Sequence, residues 1–241
     1  MRSLLSVKDV APKHSKIYKW ARFGRDFDGG YVMFDDFNKD SIAYSFGVSY
    51  DDSWETDIAK KGIDVFMYDP TVSSTHSKNN RFHFEKLGIT GYKKAANMKT
   101  MSEFIKKNGH KNKTNLVLKM DVEGAEWDFL NEVDERTLNQ FSQIVLELHW
   151  FQKKDLADTI LPALQKLNKT HQIVHVHGNN HVGVVRCSDI MIPEVMEITC
   201  LRKSSYNFVE SKKYFPTGLD RKNHPERPEI ILGYDFSDIK N

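Results

Sequence analysis

Apolar positions in the first half of the chain recur every second residue in short runs. In the gaps between those runs the spacing widens to three or four. Ile42 to Phe46 reads as a short buried strand ending at Gly47, and Trp54 to Lys61 as a helix with Ser53 as its N-cap. Asp64 to Tyr68 is a second strand, stopped by Asp69-Pro70, and Arg81 to Leu87 alternates like a third. Thr100-Met-Ser-Glu103 fits a capping box, opening a helix that should stop near Asn108-Gly109. Asn115 to Val122 is an apolar strand and Ala125 to Glu132 the helix after it. Gln143 to Trp150 is a further strand, and Asp155 to Leu167 has helical spacing through Leu156, Ile160, Leu161 and Leu164. Gln172 to His177 and Val195 to Arg202 are late strands.

Strands alternating with helices predict an α/β fold, a mostly parallel sheet with helices on both faces. Residues 16–34 alternate weakly around Asp28-Gly29-Gly30 and predict an N-terminal hairpin or lid. Three regions follow: a hairpin or lid over 1–40, a core over 41–205, and a tail over 206–241 packed on or over that core. The stretch from Pro216 to Pro228, rich in proline and charge, reads as a surface wrap or a loop over the site.

Composition narrows the partners. Lys+Arg 35 against Asp+Glu 33 gives a formal net charge of +2, and the basic residues are dispersed, so no nucleic-acid footprint is expected. No segment approaches the roughly 20 apolar residues of a membrane span. Cys187 and Cys200 have neither redox nor zinc spacing, and Met1 to Lys16 lacks an apolar stretch of signal-peptide length. A soluble cytoplasmic protein with reduced thiols is the expectation. Homo-oligomerisation is left open.

The candidate chemistry sits at strand ends, where open α/β sheets bind ligands. Phe46, Gly47 and Ser49 form a turn between the first strand and first helix, and Asp69, before Pro70, follows Gly47 by 22 residues. That is the interval at which such folds place a carboxylate on ribose hydroxyls. The dinucleotide fingerprint is absent, because Ser49 and Asp52 stand where its other glycines would be. Asp51 and Asp52 would repel a pyrophosphate and suit an ammonium. A ligand with ribose, sulfonium and amine but no phosphate fits, which is S-adenosylmethionine. Asp121, at the end of the next strand, should face the same pocket. Glu147 and His149 are i and i+2 on one face of the neighbouring strand. In-register pairing would set Lys119 beside Glu147 and Asp121 beside His149. Tyr31, with His177, Asn179 and Asn180 at a polar turn, is the expected acceptor contact.

Leu118-Lys-Met-Asp-Val-Glu-Gly-Ala-Glu-Trp127, Tyr44-Ser-Phe-Gly-Val48 with Tyr68-Asp-Pro-Thr71, and Asp28-Gly-Gly-Tyr31 resemble the FkbM-like S-adenosylmethionine-dependent methyltransferases and the related methyltransferase-like proteins. The likeness covers roughly residues 16–205. It implies a Rossmann-like class I fold with a seven-stranded sheet ending in an antiparallel hairpin. It also implies O-methylation of a sugar, nucleotide-linked sugar or sugar-bearing metabolite. Carried over, Gly47 and its neighbours meet the methionine part, Asp69 the ribose, and Asp121 the region of the reacting methyl.

Asp121, Glu147 and His149 are then the expected chemical centre. Two mechanisms are open: His149 as a general base oriented by Asp121, or the three residues ligating a divalent metal. The expected Lys119–Glu147 ion pair favours the metal-free base. Rival functions are a nicotinamide-dependent oxidoreductase, disfavoured by the missing glycines, and a non-catalytic binding protein with a degenerate methyltransferase core.

Overall fold

Strict alternation sorts the central strands into two faces. Tyr44, Phe46, Leu116, Leu118, Met120, Ile144 and Leu146 point into one buried cluster, and Ala43, Val65, Met67, Val117 and Val145 into another. The computed structural model describes residues 1–11, 19–90, 96–237 and 239–240. After a short helix over Arg2–Leu5 and a short strand over Lys8–Val10 comes a hairpin, β1 (Trp20–Phe23) and β2 (Tyr31–Phe34). The first strand of the expected hairpin begins at residue 16, and residues 16–18 lie outside the described residues. Then follow β3 (Ile42–Phe46), α1 (Ser53–Lys60), β4 (Asp64–Tyr68), β5 (Phe82–Glu85), α2 (Met101–Lys107), β6 (Leu116–Met120) and α3 (Glu126–Glu132). β7 (Phe141–Leu148), α4 (Leu161–Thr170), β8 (His171–Gly178) and β9 (Met196–Arg202) complete the core.

These strands form one seven-stranded sheet in the order β8-β9-β7-β6-β3-β4-β5. All neighbours from β5 to β7 are parallel; β9 runs antiparallel to both β7 and β8. The sheet is therefore mixed, with a single reversed strand near one edge.

The layers differ from the expectation. α2, α3 and α4 cover the first face through Met101, Phe104, Trp127, Phe129, Leu130 and Leu164. On the second face α1 brings Trp54, Ile58 and Ala59, and the hairpin brings Phe23, Tyr31 and Met33. The hairpin strands are thus part of the sheet's covering. Gln143 clamps them, accepting from the Phe34 amide at 2.8 Å and donating to the Phe34 carbonyl at 3.1 Å. Thr199 Oγ1 donates to the Val32 carbonyl at 2.6 Å. The turn between the strands and Tyr31 at the start of β2 reach the sheet's carboxyl edge.

Two element details also depart from the reading of the sequence. Ser53 is the first residue of α1 rather than its cap; Asp52 stands at the N-cap and makes no side-chain cap bond. The expected 155–167 helix is two pieces, a π-helical turn over Leu156–Ile160 and then α4. Pro162 lies at the start of α4, and a proline has no N–H to continue an α ladder from the preceding turn. The Thr100–Glu103 capping box is present in both directions.

Candidate functional site

Gly47 is held in the left-handed region at φ 79. A Cβ there would lie 1.6 Å from the Asp121 carbonyl oxygen, so no side chain fits. This contact locks the turn after β3 against the end of β6. Lys119 reinforces it, donating to the Gly47 carbonyl at 2.6 Å.

The expected Lys119–Glu147 pair does not form. β7 pairs with β6 in a register that sets Val145, not Glu147, opposite Lys119. Two further residues along, Glu147 and His149 are carried to the mouth of the site. The ground for preferring a metal-free base therefore falls away.

A cavity of about 380 Å³ opens beside the Gly47 turn. Phe46, Gly47, Ser49, Asp69, Pro70 and Asp121 all line it. The sequence missed its far wall, where Gly88, Ile89 and Met98 join Tyr68. A Cβ at Gly88 would meet the Met98 sulfur at 2.3 Å, so a side chain there would displace Met98 from the wall. No period or motif marked that wall.

Asp69 is buried at 3% exposure and fixed by its own surroundings. It accepts from the Ser49 amide at 2.8 Å and from the Thr71 amide at 2.7 Å. Burial raises its pKa, but the bonds from Thr71 and Ser49 outweigh this, and the net shift is downward. The group is a fixed anion: Oδ1 is shared by the Thr71 amide and hydroxyl, and Oδ2, which accepts from the Ser49 amide, is the oxygen with a lone pair to offer.

Asp52 does not face the cavity as the sequence suggested, and Asp51 lines only an adjoining recess that shares Asp28, Gly47, Ser49 and Asp121 with it. Asp51 accepts from Ser53, and Asp52 from the Ser77 amide and hydroxyl at 2.6 and 2.7 Å. The carboxylates on the cavity besides Asp69 are Asp28, Asp121 and Glu123.

His149 is 4% exposed. Its Nδ1 lies 3.2 Å from Glu126 Oε1 and 3.0 Å from its own strand's Glu147 carbonyl. Glu126, fully buried, also accepts from the Val122 and Gly124 amides at 2.7 and 2.8 Å. Nε2 points the other way. It stands 3.8 Å from Asp121 Oδ1, 3.7 Å from Glu123 Oε2 and 3.6 Å from Glu147 Oε2. Burial pulls the imidazole pKa down, but Glu126, then Asp121 and Glu123, more than reverse it. Burial, then the charges of Asp121, Glu197 and Asp28, hold Glu147 well above the ordinary carboxylate value.

Tyr31 is buried and donates its hydroxyl to Asp121 Oδ2 at 2.9 Å. Asn179 donates to Glu147 Oε1 at 2.6 Å. His177 faces away from the cavity, between Glu197 at 3.2 Å and Glu229 at 3.4 Å. Asn180 is spent on the tail, donating to the carbonyls of His224, Arg227 and Pro228. The tail returns the contact: Asn223 donates to Glu197 Oε1 at 2.6 Å and to Asp28 Oδ1 at 3.1 Å. The 216–228 stretch is therefore the outer wrap of the acidic end of the site.

A family model described as the methyltransferase FkbM domain matches residues 36–172, more than half of the chain. This chain belongs to the FkbM methyltransferase family. Its matched portion holds Gly47, Asp69, Asp121 and His149, and ends before Asn179, Glu197 and Asn223. A human protein described as "Probable methyltransferase-like protein 24" is 32% identical over 124 residues, 46% of this chain and 33% of that one. The rat protein of the same description is 32% identical over 118 residues, 44% of this chain and 32% of that one. The chain's match thus spans about a third of the length of these curated relatives. Among the described residues, no helix of this FkbM-family chain is long and apolar enough to cross a membrane.

Proposed function

We propose that this FkbM-family chain is an S-adenosylmethionine-dependent O-methyltransferase whose acceptor is a hydroxyl of a sugar, nucleotide-linked sugar or sugar-bearing metabolite. The observation that carries the reading is the wedge of Gly47 against the Asp121 carbonyl, with the fixed Asp69 anion at the end of the adjoining strand. The cavity beside it lies within the roughly 300–1,000 Å³ of small-molecule sites. Its walls fit the cofactor: Tyr68, Ile89 and Met98 are apolar or aromatic, Asp69 can accept from ribose hydroxyls, and Asp28 and Asp121 can hold an ammonium.

When bound, the cofactor supplies an electrophilic methyl group, and transfer to oxygen leaves a neutral thioether. The chain's own task is positioning and proton removal. Tyr31 fixes the Asp121 carboxylate, Glu126 fixes the His149 ring, and Asn179 fixes Glu147. The acceptor hydroxyl would enter where these three groups converge. A polar acceptor suits that mouth, since Asp28, Glu123 and Glu147 offer acceptors to sugar hydroxyls.

Incubation with methyl-labelled cofactor and a panel of nucleotide sugars and free glycosides tests this reading. Label should appear in at least one product as an ether, and a nicotinamide fluorescence titration should stay flat. Quenching or enhancement by NADH, with no label transfer, would overturn it in favour of an oxidoreductase.

A further inference from the structure

We propose that Asp121, Glu123 and His149, with Glu147 alongside, form a binding site for one divalent cation, a hard or borderline ion such as Mn(II). The first support is geometry. One ligand atom from each of Asp121, Glu123 and His149 lies within 4.8 Å of the others. His149 Nε2 stands 3.6 to 3.8 Å from three separate carboxylate oxygens. Those distances are too long for hydrogen bonds. Ligands held at about 2.1 Å in an octahedral shell stand about 3 Å apart when adjacent and about 4 Å when opposite. The observed distances fall between those two values, so a small side-chain movement would bring these atoms into a shell around an ion.

The second support is His149 itself. The ring is 4% exposed, and among the described residues Nε2 has no hydrogen-bond partner. The ring cannot turn to find one, because Nδ1 is engaged by Glu126, which is pinned by two backbone amides. A buried imidazole with one nitrogen fixed by a carboxylate and the other aimed into oxygen atoms is the usual setting of a metal-ligating histidine.

The third support is charge. Asp28, Asp121, Glu123, Glu147 and Glu197 converge here, and among the described residues no Lys or Arg lies within 4.0 Å of any of them. Lys119, the expected counter-ion, is turned to the Gly47 carbonyl. Of these carboxylates, Glu147 is buried with only an Asn179 hydrogen bond and the His149 ring at 3.6 Å to offset its charge, and a carboxylate so placed is costly. One imidazole among carboxylates suits Mn(II), Fe(II) or Mg(II) better than a thiolate-preferring ion.

On the methyltransferase reading, on which its catalytic meaning rests, such an ion would bind the acceptor hydroxyl and lower its pKa. The proton would leave to a site carboxylate as the oxygen becomes the nucleophile.

The test is a Mn(II) titration of the chelator-stripped, folded protein, followed by electron paramagnetic resonance and calorimetry. One Mn(II) should bind per chain. Outer partners of metal ligands alone are worth about 10–100-fold in affinity, so losing a ligand in Glu123→Gln or His149→Ala should weaken binding at least about tenfold. Glu123 is 76% exposed at its side chain, so its variant should fold. Glu226→Gln, a surface carboxylate outside the group, should change nothing. No Mn(II) uptake, or uptake that Glu123→Gln and His149→Ala leave unchanged, overturns the site. S-adenosylhomocysteine titrated into the same stripped protein separates the two ideas. Binding of it without Mn(II) uptake sinks the metal and spares the methyltransferase reading. Mn(II) uptake without it does the reverse.

Discussion

Lys119 shows how far single residues could be read. Alternation along Asn115–Val122 placed it correctly, on the face opposite Leu118 and buried at 5% exposure. Its partner was misread, because the partner depends on the stagger between two strands, which sets Val145 opposite Lys119, two residues short of Glu147. No pattern within either strand announces that stagger. In the structure Lys119 holds the Gly47 carbonyl, and its charge opposes the effect of burial on Glu55, whose pKa is nonetheless raised. Glu55 is 1% exposed, bonded to Ser45, and has one oxygen without a partner. Lys119→Met should therefore cost about 1.5–3 kcal/mol in urea unfolding, the worth of a hydrogen bond from a charged donor. A double-mutant cycle with Glu55→Gln should show coupling of about 0.5–3 kcal/mol, and one with Glu147→Gln should be additive within about 0.5 kcal/mol. The reverse ranking would restore the ion pair expected from sequence. Gly47, Asp69 and Asp121 were legible for the opposite reason. Each stands at the end of a strand whose own periodicity fixes where it ends.

At the scale of elements, strands and caps were read well and coverings less so. Asp64–Tyr68 and Ile42–Phe46 match residue for residue, because β-branched and aromatic side chains end sharply at Gly47 and Asp69. The capping box at Thr100 was equally plain. The Thr100 hydroxyl accepts from the Glu103 amide, and Glu103 accepts from the Thr100 amide at 2.9 Å. Thr100→Ala should cost about 0.5–2 kcal/mol, read as a lower urea midpoint at unchanged slope. No loss would mean that α2 is held by the packing of Met101, Phe104 and Ile105 alone. The hairpin was seen, but not that it substitutes for helix on the second face. Local alternation shows that one side of a hairpin is apolar without showing which surface it will cover. The π-helical turn before α4 follows from Pro162, which the helical spacing around it had masked.

At the scale of the whole molecule, the carboxyl edge of the sheet gathers anions while the chain as a whole is near neutral, at +2. That asymmetry exists only after folding, which brings Asp28, Asp121, Glu147 and Glu197 together from distant segments. The tail closes it through Asn223, a contact beyond reach from sequence because that residue carries no local signature. Two buried histidines, His177 at this edge and His171 at the opposite, amino end of the sheet, set opposite limits on stability. Burial, outweighing the bond to the Phe141 carbonyl, lowers the His171 pKa to about 4. Its unfolded value is about 6.5. The unfolded chain then binds more protons between those values, so this contribution is full above about pH 6.5 and is lost as pH falls towards 4. His177 is shifted the other way: burial lowers it, but Glu197 and then Glu229 raise it to about 10. Its contribution is full below about pH 6.5 and is lost as pH rises through 10. Urea midpoints should therefore fall on both sides of neutrality. His171→Asn should flatten the acid limb and His177→Asn the alkaline limb. An acid limb unchanged in a folded His171→Asn would remove that histidine from the account.

The central claim is that the Gly47 turn, Asp69 and Asp121 bind S-adenosylmethionine at the carboxyl edge of the sheet. Calorimetric titration with S-adenosylhomocysteine, wild type against Asp69→Ala, tests it most directly. The wild type should bind one molecule per chain. Loss of hydrogen bonds to a charged group, worth roughly 1.5–3 kcal/mol, should weaken binding about 10- to 150-fold in the variant. No binding to the folded wild type, or equal affinity in a folded Asp69→Ala, would contradict it.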